Sequence, residues 1–436
     1  SAHRALLSRV NPRPGLLRFW DSFTGVERAA FTSTFGRVQA LAWSPDGTRL
    51  YTTPTGVAGL QAWDLTSYVS PATPIAASGP AGAGIATATA VDPTTRTLAV
   101  ATNQGQTWFL DLDSGRTRLS DRPKGAPVVS VAFADRGRLA LTADAGGVLT
   151  VWDPATGSAI GDLTKPTRVE THSDVARAPV GPDGRTAASF IDGYGLQLVD
   201  VVSRRIGKPV YPDLGNQSMF EVLGWSPDGR HVVIAAQGVT FSPASGYTPG
   251  VWALVDPHDG RVVWRTLAPE QVVAADAVFA EDARTIVLPG ESGRLYFVDA
   301  ATGALQDPAG TATTRPLAVN DRQTPASLSV TPDGSQLSVV SQAHPIEIWD
   351  VATARQSGTI QAPVATISGH FVSDHELVTT TATGAVAIHD LTVAQWIRLA
   401  CKAAGRELTP IEWSQFLPMY PHETVCSRPS EQVAAP

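Results

Sequence analysis

The chain has little cysteine, methionine or lysine. Its 436 residues include two Cys, at 401 and 426, two Met, and Lys only at 124, 165, 208 and 402. So few cysteines exclude a disulfide-dense scaffold and a cysteine-based zinc framework. No P-loop, H-E-x-x-H or C-x-x-C stretch occurs, so the usual short signatures of nucleotide, zinc-protease and redox chemistry are missing. No run of 18 apolar residues exists, and no membrane-spanning helix is expected. The opening "SAHRALLSRVNPRPG" has no apolar core of the signal-peptide kind. It also lacks an initiator Met and begins inside a strand-like pattern, which reads as a piece of a longer protein; the expected compartment is the cytoplasm. Net charge is −7, with no basic cluster interleaved with aromatics, so no nucleic-acid surface is expected in this segment.

What is present is turn chemistry and apolar mass. Gly (38) and Pro (33) are spread along the chain, and 43% of residues are hydrophobic, enough for a large core divided by many turns. Basic residues are mostly Arg and Ala is abundant, a composition that resembles high-GC bacterial coding bias.

A repeat organises the chain. Strand-like runs end in Asp at "FWD" (Asp21), "AWD" (Asp64), "FLD" (Asp111), "VWD" (Asp153) and "LVD" (Asp200). They continue at "LVD" (Asp256), "FVD" (Asp299), "IWD" (Asp350) and "IHD" (Asp390). The spacing runs from 40 residues (Asp350 to Asp390) to 56 (Asp200 to Asp256). After the Asp comes a turn, often Thr-Gly or Ser-Gly, then a short strand, a loop and an alternating run such as "VQALAWS". The turn "SPDG" follows at Ser44 and Ser226, as "GPDG" at Gly181 and as "TPDG" at Thr331. Pro presets φ, Asp bonds its own backbone and Gly accepts positive φ, so this turn joins two antiparallel strands. Each unit is four short strands that cannot bury their own faces; stacked around an axis they make an all-β propeller.

The units resemble WD-repeats, with "WD" kept at Trp20, Trp63, Trp152 and Trp349. The Gly-His that usually opens such a repeat is missing, so the hydrogen-bond network built on that His is expected to be incomplete. The resemblance covers about 390 residues and implies a WD-repeat β-propeller over 1–390, with 1–21 a partial blade. Eight blades are the favoured count, closed by a strand near Arg28 to Thr32. In the alternative, residues 1 to about 67 end a preceding propeller, "SPATPIAASGPAGAG" marks the boundary, and the ring has seven blades.

After Asp390 the period changes to helical spacing. Thr392 reads as an N-cap and Gly405 as a stop; Thr409, Pro410 and Glu412 read as the start of a second helix. A two-helix tail over 391–436, packed on the propeller, is expected. The tail is similar to the ending of many actinobacterial and cyanobacterial WD-repeat proteins, through Trp396, Ala400, Cys401, Ala404-Gly405-Arg406, Leu408, Thr409, Glu412, Trp413, Leu417, Pro418 and Cys426. In that family the propeller follows a signalling module, commonly a STAND-type NTPase. Cys401 and Cys426 read either as a disulfide or as two buried thiols.

Candidate chemistry is sparse. His370 and His375 read as turn residues rather than a metal pair, and "DLDSG" at Asp111 lacks the later acidic ligands of a calcium loop. The Asp that ends each unit reads as a turn acceptor, and the Trp residues as packing between blades. No catalytic residue, metal or cofactor is expected. The expected role is a non-catalytic interaction or sensor scaffold, its partner a protein, a peptide or an N-terminal domain of the same protein. A propeller hydrolase or lyase with a site in the central channel is the alternative. The two longest units carry their extra length on one face, in Gln237 to Gly250 and Gln306 to Ala326, which makes Phe241, Tyr247, Arg315 and Arg322 the candidate contacts.

Overall fold

The computed structural model describes most of residues 79–390, apart from loops of which 166–176 and 307–316 are the longest, and only short separate stretches of 1–78 and 391–436. The chain divides into two compact units: Thr73–Ile388, and Ser1–Ala72 with His389–Pro436.

The larger unit is a ring of seven antiparallel blades. Blade 1 runs Ala86–Asp92, Thr97–Thr102, Thr107–Asp111 and Thr117–Leu119. Blade 2 runs Val128–Ala134, Leu139–Asp144, Leu149–Asp153 and Ser158–Asp162. Blade 3 has Thr186–Phe190, Leu196–Asp200 and Arg205–Ile206, its inner edge supplied by a bridge from Val180 to Ala187. Blade 4 runs Gln217–Trp225, Val232–Gly238, Val251–Val255 and Val262–Leu267. Blade 5 has Val278–Phe279, Thr285–Pro289, Arg294–Asp299 and Leu305–Gln306. Blade 6 runs Pro325–Val330, Gln336–Ser341, Ile346–Asp350 and Arg355–Ile360.

Blade 7 takes three strands in sequence, Thr366–Ser373, Glu376–Thr381 and Val386–Asp390, and its outer strand is Ala72–Ala76. This corrects the favoured reading of eight blades closed from residues 28–32. Glu27–Thr32 instead pairs with its neighbour in sequence, Leu16–Trp20. Closing that hairpin costs little loop entropy, whereas Ala72–Ala76 lies just before blade 1 and reaches the seam with a short connection. The remaining early strands, Val38–Trp43, Arg49–Pro54 and Gln61–Asp64, form a three-stranded sheet in the smaller unit. The ring therefore begins with the strand Ala72–Ala76, not at residue 1.

The expected two-helix tail is not supported either, and most of its second helix, Glu412 included, lies outside the described residues. Among the described residues of 391–436, helical backbone is limited to 394–395, 397–398, 401 and 410. Thr392 Oγ1 does accept the Gln395 N–H at 3.3 Å, the contact an N-cap makes.

The repeated sequence features each have a repeated job. The strand-ending Asp caps the turn that follows. Asp111 accepts N–H bonds from Asp113 and Ser114, Asp299 from Ala301 and Thr302, and Asp256 from His258. In "SPDG" and "TPDG" the Asp turns inward on its own loop. Asp228 Oδ1 takes the Ser226 hydroxyl at 2.6 Å and the Arg230 N–H at 3.0 Å, and Asp333 Oδ1 takes the Thr331 hydroxyl at 2.6 Å. Gly229 and Gly334 sit at φ +71 and +74, where a side chain would strain the turn.

The two middle strands of a blade are sandwiched by neighbours on both faces, so they read as continuous apolar runs. Val251–Val255 is buried throughout, whereas the outer strand Thr117–Leu119 is mostly exposed. Between blades 1 and 2 lie Ala99, Phe109 and Trp152; between blades 4 and 5 lie Trp252, Ile286 and Tyr296. The WD tryptophan of blade 2 is a core residue, 2% exposed, whose Nε1 donates to Thr142 Oγ1 at 2.8 Å.

Candidate functional site

The inner strands leave a central channel of about 400 Å³. Six of the seven blades line it with first strands or the residues just before them, through Thr89, Val131, Val180, Val222, Ser327 and Ser368 among others, and blade 5 contributes Asp276. Hydrogen bonds run from blade to blade around it. Thr87 Oγ1 donates to the Val128 carbonyl at 2.5 Å, Ala277 N to the Leu223 carbonyl at 3.1 Å, and Phe371 N to Ser329 Oγ at 3.1 Å.

Two polar clusters in the channel are joined by hydrogen bonds between blades. At the seam of blades 7 and 1, Thr89 Oγ1 lies 2.6 Å from Ser368 Oγ and 2.7 Å from His370 Nε2. Burial pushes the His370 imidazolium below its ordinary value; the Asp276 carboxylate and the Thr89 backbone pull the other way without cancelling it. Second, Arg177 Nη1 donates to Asp276 Oδ1 at 2.6 Å. Arg177 comes just before blade 3's inner edge and Asp276 just before Val278–Phe279, so the pair crosses in front of blade 4. In a four-stranded meander the first strand starts at the face where the 4–1 and 2–3 connections emerge. The ion pair therefore lies toward that end of the channel, and Asp92, which closes its own turn by accepting the Thr95 N–H at 2.7 Å, lies toward the other.

The residues singled out from sequence fall as follows. Phe241 and Tyr247 face each other across a small ribbon, Phe241–Ser242 with Gly246–Tyr247, between the second and third strands of blade 4. Arg315 and Arg322 lie outside the described residues. They belong to the connection between blades 5 and 6, where Leu317–Ala318 pairs back onto Arg294 and Leu295. By the order of strands, both long connections leave the ring on one face. His370 is in the inner strand of blade 7 and His375 in the following turn. Among the described residues no group of three or more His, Cys, Asp or Glu comes together to hold a metal. In the tail the structure joins Cys401 to Cys426, with Cα atoms 5.3 Å apart. No helix among the described residues is long and apolar enough to cross a membrane.

Sequence reasoning missed the Arg177–Asp276 pair. The signal was there: both stand immediately before an inner strand, a position that faces the channel. Only the ring reveals that positions 99 residues apart meet.

The fold and its channel define a seven-bladed β-propeller of WD-repeat-like build. A protein family described as the outer membrane protein assembly factor BamB matches residues 222–394, from within the first strand of blade 4 through the three inner strands of blade 7. The U3 small nucleolar RNA-associated protein 21 homolog of Schizosaccharomyces pombe is 23% identical over 197 residues, covering 39% of this chain. The match spans only 20% of that relative's length. Among solved structures, the β-propeller domain of Myceliophteria thermophila Cps50 (Swd1) superposes with a TM-score of 0.54 at 15% identity, covering 71% of this chain and 98% of that one. Kuenenia stuttgartiensis hydrazine synthase superposes with a TM-score of 0.55 at 15% identity, covering 72% and 98%. At such identities the likeness is one of fold.

Proposed function

We propose that the ring is a protein-interaction and sensor scaffold, without catalysis of its own, in a larger bacterial signalling or transcription-regulatory protein. The observation that carries this reading is the placing of added length. The ribbon of blade 4 and the connection between blades 5 and 6 both emerge on the face opposite the Asp-capped turns. Variable loops gathered on one face of a rigid frame are where such folds place recognition. Phe241, Tyr247, Arg315 and Arg322 are the contacts this reading selects, and a protein or peptide, or a domain of the same protein, is the partner. The test replaces both connections with short Gly-containing turns. The melting temperature stays nearly unchanged while capture of the partner is lost; undiminished capture moves the site to the other face.

A second reading is a propeller enzyme with its site in the channel. It is favoured by His370 and Asp276 facing one cavity, and by a fold shared with hydrazine synthase. Stoichiometric metal in the purified protein, or turnover lost on His370→Ala, is the result that selects it.

A further inference from the structure

We propose that the central channel binds a small zwitterion carrying a carboxylate and an ammonium close together, of the size of a free amino acid, at the Arg177–Asp276 pair. The charges point to that class. Toward the mouth on the long-connection face, these two side chains are the charged groups that line the cavity among the described residues, and they are opposite in sign. A lone anion drawn to Arg177 meets Asp276, and a lone cation drawn to Asp276 meets Arg177. A ligand that presents both charges lies antiparallel to the pair and satisfies each.

The valences are open. Among the described residues, Arg177, with five N–H donors, uses Nη1, while Asp276 accepts through Oδ1 and keeps Oδ2. A ligand carboxylate takes the remaining guanidinium donors, and its ammonium takes Oδ2. A second observation comes from blade 6. Ser327 lines the same cavity, is 4% exposed, and its Oγ has no hydrogen-bond partner among the described residues. A buried hydroxyl left unpaired is costly in a native fold and is relieved when a bound group supplies a partner. Hydroxyls of Thr87, Ser130 and Ser368 line the cavity as well, further polar groups available to a bound zwitterion. The volume of about 400 Å³ accommodates an amino acid with a few waters.

A purely architectural role for the ion pair, as a stay between blades 3 and 5, is the competing explanation. Calorimetric titration of the full chain with glycine and L-serine, alongside acetate and methylammonium, separates the two. The expected result is saturable binding of one zwitterion per chain, with acetate and methylammonium weaker by about tenfold or more, the factor that follows from losing one charge-assisted contact. Arg177→Gln and Asp276→Asn each weaken the zwitterion by a similar factor. Ser327→Ala leaves the ion pair in place, keeps the fold, and weakens binding by a few-fold. No saturable zwitterion binding, equal binding of the single-charge probes, or binding unchanged in both folded ion-pair variants overturns the proposal. The chain with both long connections shortened still binds the zwitterion, so failure here and failure of the partner-binding reading are told apart.

Discussion

The two faces of the ring obey different rules. On one, the first-to-second and third-to-fourth turns are nearly copies of each other. Asp111, Asp153, Asp256 and Asp299 accept backbone N–H groups two residues on, and a Gly closes each of these turns by donating to the Asp carbonyl. On the other, the connections range from the four residues between Thr102 and Thr107 to the long link between Gln306 and Pro325. The turn face also holds the seam together. Arg96 donates to both oxygens of Glu376 at 2.8 and 2.9 Å and to Asp113 at 2.7 Å, tying blade 1 to blade 7. Where geometry has to recur in every blade, sequence recurs; where the backbone is free to wander, length accumulates. The difference teaches that the repeated motif is structural and that recognition is to be sought away from it.

Acid tests this contrast on several blades at once, so its effect is the largest. Asp111, Asp183, Asp200, Asp228, Asp299 and Asp333, all on the turn face, lie below the ordinary carboxylate value. Thr302 and Thr331 hydroxyls hold down Asp299 and Asp333. At Asp200, burial pushes upward but is outweighed by bonds from Arg185 and Ser203, which set it at about 2. Depressed acids stabilise the fold above the ordinary carboxylate range, and that stability is lost as pH falls through it toward about 2. Buried His389 adds a second window. Desolvation sets it at about 4 against an ordinary 6.5, so the unfolded chain binds the proton first and stability declines as pH falls from about 6.5 to about 4. Denaturant midpoints across pH 2–7 should therefore fall in two stages; a flat profile breaks the argument.

Gly303→Ala comes next. Gly303 has φ +72, and a Cβ there would lie 2.6 Å from the Trp264 ring of blade 4. The left-handed backbone and the clash together cost about 2–4 kcal/mol in denaturant unfolding. Arg96→Ala opens the seam clamp and costs about 1–2 kcal/mol, because the contact is bidentate and only partly exposed. High salt should recover part of that difference between variant and parent. The smallest effect belongs to the opposite face: shortening the ribbon 239–249 to a Gly-containing turn changes stability by less than about 1 kcal/mol. A loss as large as that of Gly303→Ala would make the ribbon part of the frame and remove it as a recognition element.

Much of this was legible in the residues. The Asp at each strand end, the "SPDG" turn and the apolar middle strands follow from local conformational preference and burial, and the structure places those it describes where that chemistry requires. The Thr392 cap was legible for the same reason, since a side-chain oxygen and an N–H three residues on need no distant partner. The candidate site was less so. The long connections could be counted from spacing alone, but Ser327 and the Arg177–Asp276 pair acquire meaning only when inner strands from separate blades face one axis.

By itself, then, the sequence determined the all-β class, the four-stranded unit, its turns and the face on which length was added, because each depends on contacts within about fifty residues of chain. The tertiary structure alone decided that the ring has seven blades and that Ala72–Ala76 rather than a strand near residue 30 closes it. The short outer strands of different blades resemble one another in sequence, so pattern alone does not say which of them completes a given blade. Which one does is a matter of loop closure and of where the ends of the ring meet in space. The channel and its buried charges exist only once that choice is made.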